Sequence, residues 1–204
     1  MKKPAVVRYL IHELMETRWS PVTFADRPVE REKLGSLMEA ARWAASCYNE
    51  QPWRFIVASK DAPKDYERAL ACLVELNQAW ARTAPVLMVA VASLRFERDG
   101  SENGWARHDV GMAVMSLLLQ ATALGLHAHA MAGFDKDAAR AAFAIPDGFE
   151  PMTAIAVGYI GDPAKAPEAL RKRDEAPRSR KPLESFVYAG RWGRVAPFIR
   201  SDAA

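Results

Sequence analysis

The chain has 204 residues, a length that suits one domain and buries on the order of 70% of the unfolded surface without disulfides or structural metals. With 50% hydrophobic and 26% charged residues, its composition is that of an ordinary globular protein, which excludes a disordered or collagen-like chain. The net charge of +3 is mild, although Arg171, Lys172, Arg173, Arg178, Arg180 and Lys181 concentrate positive charge in the last third.

Val7, Leu10, Ile11, Leu14 and Met15 recur at helical spacing and predict an amphipathic helix from about Ala5 to Thr17. A second helix is expected from Val29 or Glu30 to about Ala45, with Pro28 just before its first turn. Trp53 to Ala58 reads as a strand, and residues from about Pro63 to Arg82 as helical. The unbroken run Val86 to Val91 has the composition of a strand buried on both faces. From Trp105 to Leu124 comes the most apolar helix, stopped by Gly125 and expected to be central. A short extended piece follows at His127–Ala132, then a helix from Lys136 to Phe143, a turn at Pro146–Gly148 and a strand at Met152–Ile160. Beyond Gly161, prolines and charges predict an extended tail without a core of its own.

No apolar run reaches the ~20 residues of a membrane span, and Ala113–Leu126 is interrupted by Ser116, Gln120 and Thr122. No export signal is evident, and the scarcity of cysteine, only Cys47 and Cys72, fits a reducing cytoplasm. Gly-x-Gly-x-x-Gly, Walker A and Gly-x-Ser-x-Gly motifs are all missing. The zincin-like start at His12-Glu13 has Glu16 where a second histidine is required, and His127 with His129 lacks a third ligand nearby, so no metal is expected. Asp109 reads as a residue favouring a helix N-terminus.

Three polar islands stand where a fold alone does not need them. In Arg18-Trp19-Ser20, a guanidinium and a hydroxyl two residues apart can reach one phosphate; closing a helix C-terminus is the plainer role for the arginine. Ala44 to Trp53 packs hydroxyl, thiol and amide groups between a helix and a strand. Asn49 and Gln51 can each donate and accept, as the edge of a heteroaromatic ring demands, although an ordinary connection closed by Pro52 is the alternative. In Met131-Ala132-Gly133-Phe134 the glycine either admits a flat ligand against the backbone or simply makes a turn.

Taken together, these residues resemble the nitroreductase family of FMN-dependent flavoproteins. Arg18-Trp19-Ser20 is similar to the family's opening Arg-x-Ser, and Ala44–Trp53 to its Ala-Pro-Ser-Ser-x-Asn-x-Gln-Pro-Trp signature. Asp109, Gly111, Ala113, Leu119-Gln120-Ala121, Gly125-Leu126 and Gly133–Asp135 follow in the family's order. The resemblance implies an α+β fold, a central mainly antiparallel sheet flanked by helices. It also implies one domain over residues 1–204, whose C-terminal extension, from about residue 162, wraps the partner subunit of a homodimer. Arg18 and Ser20, joined by Arg178 and Arg180, would hold the FMN phosphate at the subunit interface. Ser46, Cys47, Tyr48, Asn49 and Gln51 would come from the neighbouring subunit and line the ring edge and ribityl chain. Asn77 would add a ring contact, and backbone at Met131, Ala132 and Gly133 would face the flavin. Trp19 and Tyr48, with Trp80, would shape the cavity or serve as core.

The implied activity is hydride transfer from NADPH or NADH by a ping-pong mechanism to an electron-poor small molecule such as a nitroaromatic or quinone. The flavin supplies the chemistry, so no catalytic side chain is assigned. Ala45-Ser46-Cys47 departs from Pro-Ser-Ser, and Ala132 stands where several relatives have Glu. Other flavin chemistry on the same fold (an oxidase, a dehalogenase-like or a flavin-consuming enzyme) is the alternative, as is binding without turnover. Nucleic-acid binding through residues 171–181 is the alternative of another class, although Asp174 and Glu175 break that charge run.

Overall fold

Eight consecutive buried residues, Val86–Ser93, form the strand β2 on which the fold is organised; the computed structural model describes residues 3–199. With β1 (Trp53–Ser59), β3 (His127–Met131) and β4 (Phe149–Gly158) it makes one sheet in the order β1-β2-β4-β3. All three pairings are antiparallel. The two-residue period of a strand sends alternate side chains of β2 to opposite faces. Leu87, Val89 and Val91 enter one apolar layer, while Val86, Met88, Ala90 and Ala92 enter the other. The register shifts between Ala90 and Val91, where Pro151 on β4 faces Val91 without an N–H to donate.

The two layers are closed by different helices. Leu37 and Ala41 of α2 (Arg31–Arg42) pack with Val110, Ala113, Leu117 and Ala121 of α5 (Ala106–Ala123) on one face. Gly125 ends α5 with φ 71°, a conformation that costs a residue with a Cβ. On the other face lie α3 (Pro63–Ala71), α4 (Glu75–Ala81) and α6 (Lys136–Ala142), with Tyr66, Ala69, Trp80, Ala81 and Ala139 buried against Val22 and Phe24. This α+β, antiparallel architecture is the one expected.

Three elements differ from expectation. The opening helix is reduced to α1 (Glu13–Thr17), and the described residues before it form no helix or strand and bend at Arg8 and Tyr9. Its apolar spacing has no core behind it: Val6 is 99% and Leu10 100% exposed. Instead, the Ala5 N–H donates to the Glu16 carbonyl at 2.9 Å and lays the segment back along α1. The stretch from Pro63 to Arg82 splits into α3 and α4, because Cys72 and Leu73 turn inward and the Val74 N–H donates to Gly133. The tail carries a helix, α7 (Glu168–Glu175), built from residues of good helix propensity without an apolar stripe. More locally, β4 begins at Phe149, three residues ahead of the expected start, and α2 ends at Arg42.

Candidate functional site

Segments far apart in the sequence, around Arg18 and around Arg178, meet at one cationic cluster. Arg18 follows α1 directly, and its Nη1 donates to Ser20 Oγ at 3.3 Å. Arg178, just beyond α7, donates from Nη1 to the carbonyls of Lys3 and Glu16, both at 2.6 Å, and so crosses 162 sequence positions to reach the α1 region. Burial, followed by the like charges of Arg178 and Arg180, holds the Arg18 guanidinium below its ordinary range. Arg178 is lowered in the same sense by burial and by Arg180. Among the described residues, none of these three arginines pairs with a carboxylate. Repelling cations held together without an acid suit a polyvalent anion, and guanidinium forks match a phosphate. Arg178, Ser179 and Arg180 also wall a cleft of about 590 Å³ with Val7, Tyr9 and Ile11 of the N-terminal segment.

Beside the cluster, two tryptophans expected to shape the cavity or serve as core pack against the two histidines of β3. Trp19 is buried and meets His127 edge-on at 5.6 Å, while Trp80 and His129 lie tilted against each other at 4.6 Å. Burial pushes the His127 imidazole down to about 4, with the Asp174 carboxylate opposing the shift and Arg18 adding to it. His129, lowered mainly by burial, bonds through Nδ1 to the Pro21 carbonyl at 2.8 Å.

A second group forms where β3 ends. The Gly133 carbonyl accepts from the Val74 N–H at 3.1 Å and from Asn77 Nδ2 at 2.9 Å. A Cβ at position 133 would stand 2.6 Å from Asn77 Nδ2 and 3.0 Å from Val74 Cγ2, so a side chain there would displace the Asn77 amide from the Gly133 carbonyl. Among the described residues the Gly133 N–H has no protein acceptor, which leaves a donor beside exposed Ala132. Met131 is buried and contributes backbone only, its carbonyl accepting from Thr153 Oγ1 at 3.0 Å.

The third group is the loop between α2 and β1. Tyr48, Asn49 and Gln51 all have left-handed φ, 52°, 57° and 53°, a conformation that costs non-glycine residues of order 1–3 kcal/mol each. Ser46 Oγ accepts the Gln51 N–H at 3.0 Å. Asp109, buried in the first turn of α5, accepts the Cys47 N–H at 3.0 Å through Oδ2 and meets His108 Nδ1 at 3.0 Å through Oδ1. Tyr48 stands exposed, edge-on to Phe96, with the Arg98 guanidinium 4.5 Å from its ring centre.

Within one chain, then, Arg18, Ser20, Arg178 and Arg180 assemble, as do Asn77 and Gly133. Among the described residues, no hydrogen bond or ring contact joins the loop Ser46–Gln51 to either group. The sequence reading assigned no anchoring role to Asp109 or Asp174. An acid inside an apolar helix and an acid inside a basic run were the available signals.

The α+β fold thus carries a cluster of arginines at one rim and a loop of left-handed backbone at another. A family model described as the nitroreductase family matches residues 15–159, and the chain belongs to that family. It is 38% identical over 149 residues to an uncharacterized 15.4 kDa protein of Mycolicibacterium smegmatis, covering 69% of this chain and 97% of that one. It is 24% identical over 217 residues to the major NAD(P)H-flavin oxidoreductase of Aliivibrio fischeri, covering 87% of this chain and 97% of that protein. A solved structure described as an oxidoreductase containing FMN superposes with a TM-score of 0.87 at 35% identity, over 93% of this chain and 96% of that one. Among the described residues, no helix is long and apolar enough to cross a membrane and no group of side chains could hold a metal ion.

Proposed function

We propose that this protein is a cytoplasmic FMN-dependent NAD(P)H oxidoreductase, one flavin-binding domain that works as a homodimer. The observation that carries this reading is the convergence of Arg18, Arg178 and Arg180 on one place, none of them paired with a carboxylate among the described residues. An FMN phosphate carries nearly two negative charges and offers the acceptor oxygens that such guanidiniums require. Bound there, FMN would supply the hydride chemistry by which NADPH or NADH reduces, in a ping-pong sequence, an electron-poor acceptor such as a nitroaromatic or quinone.

The residues divide the remaining work. Arg18, Ser20, Arg178 and Arg180 hold the phosphate, and the free Gly133 N–H faces the ring edge, with Asn77 fixing the Gly133 carbonyl behind it. Buried Trp19 and Met131 serve through their backbone and through packing, and Ala132 through its backbone. Ser46, Cys47, Tyr48, Asn49 and Gln51 line the ring edge and ribityl chain of the other subunit's flavin. That division agrees with a loop that stands apart from the phosphate cluster of its own chain. Trp192, at 90% exposure, joins Val6 and Leu10 on segments with no core behind them, as expected of arms that wrap a second copy.

Flavin content tests the assignment. A charge-assisted hydrogen bond contributes about 1.5–3 kcal/mol, so Arg18→Ala is expected to weaken FMN binding by roughly ten- to a hundredfold. Purified Arg18→Ala protein retaining wild-type flavin content would contradict the phosphate site.

A further inference from the structure

Asp174 occupies the last turn of α7 amid the most basic stretch of the sequence, yet it is only 2% exposed. Its carboxylate faces away from the solvent side of that run. Oδ1 accepts the Val22 N–H at 2.9 Å, two residues beyond Ser20, and its backbone carbonyl accepts from Lys3 Nζ at 2.5 Å. Oδ2 is buried and finds no partner among the described residues. Four residues later Arg178 bonds the carbonyls of Lys3 and Glu16. The segment that carries Arg178 and Arg180 is therefore fastened at its entry to the strand of chain that carries Arg18 and Ser20. A buried carboxylate accepting from a backbone N–H is costly to remove, because it leaves that donor unmade in a dry place.

We propose that Asp174 is a positioning residue for phosphate recognition, holding the C-terminal segment against the Ser20–Val22 turn so that Arg178 and Arg180 oppose Arg18. The role rests on the FMN reading above and adds to it a residue that touches no part of the cofactor. It explains why an acid interrupts the basic run: the acid is the anchor, and Arg178 and Arg180 beyond it are the ligands. Arg173, whose guanidinium lies 5.9 Å from the Trp80 ring centre, adds a second fastening of the same helix to the core.

Riboflavin, which lacks the phosphate, separates positioning from a general structural role. Dissociation constants for FMN and for riboflavin are measured by fluorescence titration of the flavin-stripped full chain: wild type, Asp174→Ala, Asp174→Asn and the exposed control Glu168→Gln. Asp174→Ala is expected to raise the FMN constant about tenfold or more while changing the riboflavin constant less than threefold. Asp174→Asn, which keeps an oxygen for the Val22 N–H, restores most of the difference, and Glu168→Gln matches wild type. Equal losses for the two ligands, no loss for either, or an asparagine variant as impaired as the alanine one would overturn the proposal.

If the alanine variant does not fold, hydrogen exchange on wild type decides. FMN must slow exchange at Val22 and through residues 174–180 more than saturating riboflavin does, and equal protection would reject the role. A wild-type protein that binds neither ligand would instead defeat the FMN reading itself.

Discussion

Between β2 and the turn at Arg18–Ser20, burial and polar pairing change together. Every residue of β2 is buried, its backbone is paired on both sides by β1 and β4, and its side chains fill two apolar layers. At the turn, guanidiniums crowd one another with no carboxylate paired to them among the described residues; in the loop at Tyr48–Gln51, three residues hold left-handed backbone. The sheet gains from each contact it makes, whereas the rim is arranged at a local cost that the sheet and its helices must support. Stability and binding should therefore respond to different substitutions.

The largest expected separation comes from the apolar side. Leu117 of α5 is fully buried, and Leu117→Ala is expected to lower the unfolding free energy by about 2–5 kcal/mol through lost transfer energy and the cavity left behind. Urea unfolding measures the loss, while flavin bound per folded protein should stay near wild type. A drop in flavin content at constant folded fraction would show that the two regions are not separable in this way.

Acid sharpens the comparison at the boundary. The His127 imidazole, normally protonating near 6.5, is held down to about 4 in the folded protein, first by burial. The unfolded chain then binds more protons between those values, so this residue's contribution is full above about 6.5 and is lost as pH falls towards 4. Full loss amounts to on the order of 3 kcal/mol. Thermal unfolding at pH 7 and pH 5 should fall less steeply in His127→Gln than in wild type; parallel slopes would mean that the buried imidazole is not what acid attacks.

A smaller effect is expected at Asp109. Asp109→Ala leaves the Cys47 N–H without its acceptor, at a cost of about 1–3 kcal/mol. Loosening should concentrate in the loop, so protease cleavage near Tyr48 should accelerate more than global unfolding does. Equal acceleration of both would place Asp109 in the general stability of α5 and not in the support of the loop.

The sequence revealed these regions unequally, for physical reasons. Composition alone identified β2 and α5, since a run of aliphatic residues bounded by Pro85 and a helix apolar on most sides have few other places to go. The segment from Val7 to Leu14 misled because helical spacing reports apolar residues and not whether a core lies behind them. With Leu10 fully exposed, the backbone bond from Ala5 to Glu16 decides its path. Helix α7 was hidden for the converse reason, having propensity but no apolar stripe. At the rim, residue types were legible and conformations were not. Asn49 and Gln51 announced amide chemistry, but nothing in their order required positive φ, which is imposed by Ser46 and Asp109. Trp19, read with the phosphate island, belongs by its ring to the core beside His127.

The most direct test of the central claim is an absorption spectrum of the freshly purified protein, recorded from about 350 to 500 nm and repeated anaerobically with NADPH and then NADH. The account predicts a flavin spectrum that bleaches with at least one of the two donors. A colourless protein that cannot be loaded with FMN, or a bound flavin that neither nicotinamide reduces, would contradict it.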